Sequence, residues 1–299
     1  MLDKKMRPKK IKDLIGNDHL KQVLKRVDEW PAAILLTGET GCGKTTIARI
    51  IAKMRKSETQ ELNISNTRGI DQARAIIEGV NSFSLRRSGK TIVLNECHEA
   101  TRQFQDAMLE TLEEPPDGVV FILCTTDPQK LLPAIKSRCV TYTLDKLKYN
   151  ESKDLLRKAC KKEGIDIPKK LIRGIILASN GIPRKLLLII DAIKDAPLKT
   201  AKRLIRDFEY VDDAASAEVV ELSRLLRQGA PFDEVMAVLR NVQEPPESIR
   251  RIVCNYMAKV LLGGKLDGGA ASVLDVFADA DTDIGLAGIV RAVTILKGN

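Results

Sequence analysis

No apolar run in this 299-residue chain approaches the roughly 18 residues that a membrane span needs; the longest are short, such as Gly118–Cys124 and Leu186–Ile190. The N-terminal MLDKKMRPKK has basic residues with no apolar core behind them, so it is not expected to be a secretory signal. None of the six cysteines forms a C-x-x-C pair. That spacing argues against a structural zinc site and against a disulfide framework, and scattered reduced thiols fit the cytosol, so a cytoplasmic protein is expected. Histidine is scarce, with only His19 and His98. His98 reads as a hydrogen-bonded structural residue at a helix start rather than a catalytic group. There is no internal repeat and no low-complexity stretch.

What is present fits a globular protein of about two domains. Apolar residues make up 44% and charged residues 30%, enough apolar surface for real cores. The net charge of +9 is unevenly spread. Residues 146–206 hold 17 basic and 6 acidic side chains, whereas residues 207–299 hold 9 and 15. A basic middle segment suits a polyanionic partner such as nucleic acid, and equally a solvated helical face.

Short apolar runs at Ala32–Leu36, Thr91–Leu94 and Val119–Cys124, with a weaker one at Glu61–Ile64, alternate with helical patterns over the first 145 residues. One helical stretch is Gly43–Met54. Another is Thr101–Glu114, where Phe104, Ala107, Met108, Thr111 and Leu112 share a face. This alternation predicts βαβ units and a parallel sheet covered by helices. From about Leu147 the strand signals stop. Glu151–Lys162, Lys169–Ser179 and Arg184–Ile193 read as three helices separated by Gly or Pro. Further on, Ile249, Ile252, Val253, Tyr256, Met257, Val260 and Leu261 form a helical stripe, and the pairs Gly263–Gly264 and Gly268–Gly269 are expected to break the segment. The expected architecture is an α/β domain over 1–145, a small helical domain over 146–207 and an all-α domain over 208–299.

Gly38-Glu-Thr-Gly-Cys-Gly-Lys44-Thr45 matches G-x-x-x-x-G-K-[ST], after an apolar strand and at the start of a helix. Its glycines let backbone N–H groups point at phosphate oxygens, and the helix N-terminus adds positive potential. Lys44 would reach the β- and γ-phosphates of ATP, and Thr45 would ligand Mg²⁺. Hydrolysis also needs an acid supporting the metal and a group that orients water. Thr91–Leu94 leads into Asn95-Glu96, where Glu96 is placed to polarise water. Position 95 usually carries Asp; Asn keeps an oxygen for the metal but loses the charge, so weaker Mg²⁺ support is expected.

These stretches resemble the AAA+ ATPase subunits of sliding-clamp loaders, most of all the bacterial gamma/tau type, with replication factor C small subunits more distant. The likeness runs in order over residues 7–190: Arg7-Pro8 with Asp13-Leu-Ile-Gly-Asn17, the phosphate loop, Glu61–Asn66 with Arg68–Asp71, Leu109–Pro116, Phe121–Leu131, Ser137-Arg138-Cys139, and Gly181-Ile-Pro-Arg184. It implies a P-loop AAA+ domain, a helical lid and a helical collar. It implies nucleotide contacts from Arg7, Pro8, Ile15, Thr40, Gly41, Cys42, Gly43, Lys44, Thr45, Thr46, Thr125, Thr126, Pro183 and Arg184. Within that set Thr126, or less favourably Thr125, would be sensor 1, and Arg184 sensor 2. Arg138 would be an arginine finger acting on a neighbouring subunit, its delocalised charge suited to a phosphoryl transition state. Thr45 and Asn95 would support the metal.

The resemblance further implies a five-subunit ring, a sliding clamp and primer-template DNA as partners. Arg68, Arg74, Arg102 and Gln103 are the DNA-facing candidates, making phosphate contacts that carry affinity without base readout. Phe83 and Leu85, on the stretch Asn81–Gly89, are candidates for docking on the clamp. Some features depart from the family. Ile47–Glu61 contains no cysteine, so the zinc module usual in bacterial gamma/tau subunits is not expected. The compact form, ending after the collar segment, looks like a subunit from a phage, plasmid or divergent bacterium. Three readings follow: an active clamp-loader motor, a subunit that binds ATP without hydrolysing it, or another AAA+ DNA motor such as a branch-migration ATPase, whose C-terminal domain would contain strands.

Overall fold

The structure, a computed structural model, describes residues 2–26, 29–66, 69–81, 89–209, 216–263 and 267–298. It packs as two compact units, Met1–Glu163 with Gly181–Arg184, and Gly164–Asn180 with Lys185–Asn299.

Among the described residues the first unit is built on five strands, β1 (Ala33–Thr37), β2 (Glu58–Asn63), β3 (Lys90–Asn95), β4 (Val119–Thr125) and β5 (Val140–Thr143). They form one sheet in the order β2-β3-β4-β1-β5, and every pairing is parallel. Strands β1 and β4 are buried along their whole length, which is why they read as unbroken apolar runs. The edges are different. Strand β2 (ETQELN) is largely exposed, and β5 (VTYT), absent from the sequence reading, alternates with no apolar run to announce it. The helices are α1 (Leu2–Lys5), α2 (Asp18–Lys25), α3 (Lys44–Met54), α4 (Ile70–Asn81), α5 (Arg102–Glu113), α6 (Pro133–Arg138) and α7 (Tyr149–Glu163).

The alternation of side chains along the strands sorts the core into two layers. Ile34, Leu36, Val93, Ile122 and Cys124 pack with Ile47, Ala48 and Ile51 of α3 on one face. Leu35, Ile92, Leu94, Phe121 and Leu123 pack with Ala73 and Ile76 of α4 and Phe104 and Met108 of α5 on the other. The Thr101 hydroxyl caps α5 by accepting from the Phe104 N–H at 3.2 Å, satisfying a free helix donor. Helix α7, which the sequence reading groups with the helical lid, is tied here by Lys5 Nζ donating to Glu163 Oε2 at 2.7 Å and Lys158 Nζ to the Asp13 carbonyl at 3.1 Å.

The second unit contains α8 (Lys169–Ala178), most of α9 (Pro183–Ile193), α10 (Leu198–Glu209), α11 (Ala217–Arg227), α12 (Phe232–Leu239), α13 (Pro246–Leu262), α14 (Gly268–Ala278) and α15 (Leu286–Gly298), with no strand among the described residues. The stripe Ile249, Ile252, Val253, Tyr256, Met257 and Val260 is the buried face of α13, which packs on α11, α14 and α15. The segment divides into two helices between the two glycine pairs, with Gly263 capping the end of α13 and Gly268 and Gly269 on the far side of the break. The latter two open α14, whose cap is Asp267 accepting from the Ala270 N–H at 2.8 Å. Glycine is required at 269 for another reason: a Cβ there would overlap the carbonyl of Arg227.

Candidate nucleotide-binding site

The strand order puts three loops side by side. The chain leaves the carboxyl ends of β3, β4 and β1, which are adjacent, and ligands of open α/β sheets bind at that edge. From β1 comes the loop Gly38–Gly43, with Gly38, Gly41 and Gly43 at φ of 143°, 84° and 107°. Only glycine adopts such angles at little cost, so the motif's spacing is a backbone requirement. Gly41 has a second one. A Cβ there would lie 2.8 Å from Ile182 Cγ2 and 3.2 Å from Arg184 Cβ, and the Arg184 N–H donates to the Gly41 carbonyl at 3.4 Å. Ile182 is fully buried with α3, so the Gly181–Arg184 turn is packed on the phosphate loop.

Lys44 is buried, with Nζ donating to the carbonyls of Gly38 at 2.8 Å and Glu39 at 3.1 Å. Burial lowers its pKa, and the Glu96 carboxylate opposes that shift. Thr45 Oγ1 donates to Asn95 Oδ1 at 2.7 Å. Asn95 Nδ2 in turn donates to Glu61 Oε1 at 3.0 Å, and Arg49 grips Glu61 with Nε at 2.7 Å and Nη2 at 2.9 Å. Thr45, Asn95 and Glu96 offer only oxygen donors, with the Thr45 proton turned toward Asn95 and its lone pairs free. That donor set fits Mg²⁺, a hard cation bound through oxygen.

Glu96 follows β3 with φ of 52°, a left-handed conformation uncommon for a residue with a side chain. Its Oε2 lies 3.6 Å from His98 Nδ1. The same ring faces Thr125 Oγ1 at 3.2 Å and Thr126 Oγ1 at 3.4 Å, and Glu99 Oε1 at 3.4 Å. His98 thus has partners on all sides, as a structural histidine does, and those partners are the candidate sensor threonines and the candidate base. Thr125 is fully buried and also accepts from the Asp127 N–H at 3.0 Å, while Thr126 is half-buried.

Arg7 and Pro8 line a cleft of about 400 Å³ together with Arg49, Ile50 and Lys53 of α3. The Arg7 pKa is lowered by burial and then by the charge of Arg49, with Arg184 adding and Asp3 and Glu61 opposing. Three guanidinium groups near one another make this part of the site a place for an anion. Ile15 is half-buried, and Asn17 beside it anchors the segment by exchanging hydrogen bonds with the Asp145 backbone at 2.8 and 3.2 Å. Thr40 and Thr46 are half-buried at the loop and the first turn of α3, Cys42 is buried and Pro183 half-buried.

Arg138 ends α6. Its Nε and Nη2 donate to Glu113 Oε2 at 2.9 and 2.6 Å and its Nη1 to the Ala134 carbonyl at 3.1 Å. Within this chain it is held by α5 and is not in the group around Lys44. Arg74 on α4 lies 3.6 Å from Asp71, and Arg102 in the first turn of α5 lies 3.9 Å from Asp106. Both, with Gln103, are exposed, and α4 and α5 pack against each other. Arg68, Phe83 and Leu85 lie outside the described residues. Nothing in the local sequence around Glu61, Arg49 and Glu113 distinguishes them from surface charges; their place at the site comes from the fold.

A family profile described as "DNA polymerase III, delta subunit" matches residues 56–148. The "DNA polymerase III subunit gamma/tau" of Mycobacterium bovis is 24% identical over a 319-residue alignment covering 93% of this chain and 54% of that protein. The protein of the same description from Mycoplasma genitalium is 30% identical, covering 79% of this chain and 42% of its own length. The "DNA polymerase III subunit tau" of Escherichia coli is 28% identical, covering 64% and 34%. The chain therefore spans about half the length, or less, of the curated relatives it matches. Among solved structures, the Thermotoga maritima RuvB Holliday junction branch migration motor superposes with a TM-score of 0.58 at 19% identity, covering 85% of this chain and 91% of that one. At that identity the likeness speaks for the fold alone.

Proposed function

We propose that this relative of the DNA polymerase III gamma/tau subunits is an ATP-hydrolysing AAA+ subunit of a sliding-clamp loader. The observation that carries the reading is the meeting of Lys44, Thr45, Asn95, Glu96 and the Thr125–Thr126 pair at one edge of the sheet. The relationship to the gamma/tau subunits gives that edge its biological setting. Three parts follow as proposals: an ATPase domain over 1–145, a lid over 146–207 and a collar over 208–299.

In this reading the N–H groups of Gly41–Thr45 and the Lys44 ammonium hold the β- and γ-phosphates, and Arg184 reaches the nucleotide from the turn packed on Gly41. Arg7, Pro8 and Ile15 form the remaining wall. Thr45 and Asn95 hold Mg²⁺, which when bound neutralises phosphate charge as the bond to the γ-phosphoryl group loosens. Glu96 accepts a proton from the attacking water. Thr126, with Thr125 behind it, senses the γ-phosphate and is joined through His98 to Glu96. Arg138, released from Glu113, completes the site of a neighbouring subunit, so that hydrolysis depends on assembly. Arg68, Arg74, Arg102 and Gln103 follow DNA phosphates, and Phe83 and Leu85 dock on the clamp.

Steady-state ATP hydrolysis with and without primer-template DNA, titrated with salt, tests this. Stimulation by DNA that fades as salt rises is the expected result. A chain that binds ATP but hydrolyses none, with DNA and a clamp present, would instead fit a non-hydrolysing subunit.

A further inference from the structure

The Asn95 side chain stands where the cation site is expected to carry a carboxylate. We propose that Glu61, on the neighbouring edge strand, is the positioning residue that makes this substitution workable. It fixes the Asn95 amide with its oxygen toward Thr45 and places a negative charge directly behind it. The inference rests on the Mg-ATP reading of the phosphate loop.

The argument begins with hydrogen-bond roles. An ionised carboxylate only accepts, so the Asn95 atom 3.0 Å from Glu61 Oε1 must be the NH₂. The amide oxygen then faces Thr45, and the Thr45 hydroxyl is compelled to donate along the 2.7 Å contact. Its lone pairs are left for a cation. Without Glu61 only the cation itself would favour this orientation, so the amide would not be set before the cation binds. Turned over, it would present N–H groups to Thr45 and to the cation, which is repulsive.

Glu61 is placed by the fold as well. Asn63 lies opposite Asn95 in the parallel pairing of β2 and β3, so Glu61, two residues earlier, projects from the same face of the sheet as Asn95. That is the face covered by α3. The same helix supplies Thr45 and, one turn later, Arg49, whose two-pronged grip leaves Glu61 little freedom. The chain Thr45–Asn95–Glu61–Arg49 therefore starts and ends on α3 and is closed through two strands. Outer groups of this kind set metal affinity by roughly 10–100-fold in metal sites generally.

The test is the Mg²⁺ dependence of nucleotide binding, read with a fluorescent ATP analogue on the intact chain, alongside binding in EDTA. Glu61→Gln keeps the shape and removes the charge. It is expected to raise the Mg²⁺ concentration required by about 10-fold or more while leaving metal-free binding within about twofold. Arg49→Lys, which cannot grip both carboxylate oxygens, shifts it the same way by less. The double variant Glu61→Gln/Asn95→Asp puts the charge back at position 95 and is expected to return the Mg²⁺ requirement to that of the parent. An unchanged requirement in Glu61→Gln, an equal loss in EDTA, or no recovery in the double variant would each overturn the inference while leaving the phosphate site intact. A parent chain that binds no nucleotide, with or without Mg²⁺, would overturn both.

Discussion

Replacing Arg227 with Met probes a buried charge network of the helical unit. Asp207 on α10 is only 4% exposed. Arg227 on α11 reaches it at 3.6 Å and reaches Asp267, the cap of α14, at 2.9 Å. Tyr256 of α13 lies against the same pair, and burial followed by the Asp207 charge pushes its pKa up to about 12. Burial raises the Asp207 pKa, and Arg227 is the foremost charge holding it down, with Arg203 and Arg224 behind. Removing one partner of a buried pair costs about 3–5 kcal/mol. Arg227 is 28% exposed and two other arginines remain, so the expected loss is about 2–3 kcal/mol near neutral pH. The pH dependence has a definite sign. A carboxyl whose folded pKa lies above its unfolded value binds protons more tightly in the native state, so stability falls as pH rises from the unfolded to the folded pKa. Arg227→Met widens that window. The variant's deficit is therefore largest near neutrality and shrinks as the solution is acidified toward the ordinary aspartate range. Urea unfolding followed by far-UV circular dichroism gives the magnitude, and hydrogen exchange of α10, α11 and α13 gives the location. Adding Asp207→Asn to Arg227→Met should recover most of the loss. A single variant within about 0.5 kcal/mol of the parent near neutrality, or a double variant with no recovery, would refute the reasoning.

Lys44→Ala is expected to weaken ATP binding by about 100-fold or more in equilibrium titration, since the ammonium proposed to bond the phosphates is lost. Arg138→Ala is expected to spare ATP binding and to slow steady-state turnover by about 10³-fold, and normal turnover would remove the finger role. Arg55→Ala should lower the melting temperature through a loss of about 2 kcal/mol, because the Arg55 guanidinium donates to the Lys90 and Gly118 carbonyls and the Thr91 hydroxyl at 2.7–3.1 Å, joining the starts of β3 and β4.

The features legible in the sequence are those whose signal lies within one element. The glycines of Gly38–Thr45 encode a backbone conformation, the Thr101 cap announces α5, and the Ile249–Val260 stripe marks the buried face of α13. The unread features depend on pairing at a distance. Glu61 acquires its meaning from a register that sets Asn63 beside Asn95, more than thirty residues away. Strand β5 is a short polar edge whose identity comes from pairing with β1. Gly269 is small because of a carbonyl on α11.

The left-handed backbone at Glu96 has an evolutionary consequence. A residue with a long side chain such as glutamate carries a cost at a φ of 52°, and glycine adopts that angle freely. Drift toward a more stable chain therefore pulls position 96 toward glycine, and a glycine has no carboxylate. A glutamate kept there bears a small cost in stability for its carboxylate. On the proposed catalytic role of Glu96, related chains that have lost hydrolysis are expected to be the ones in which position 96 has relaxed to glycine.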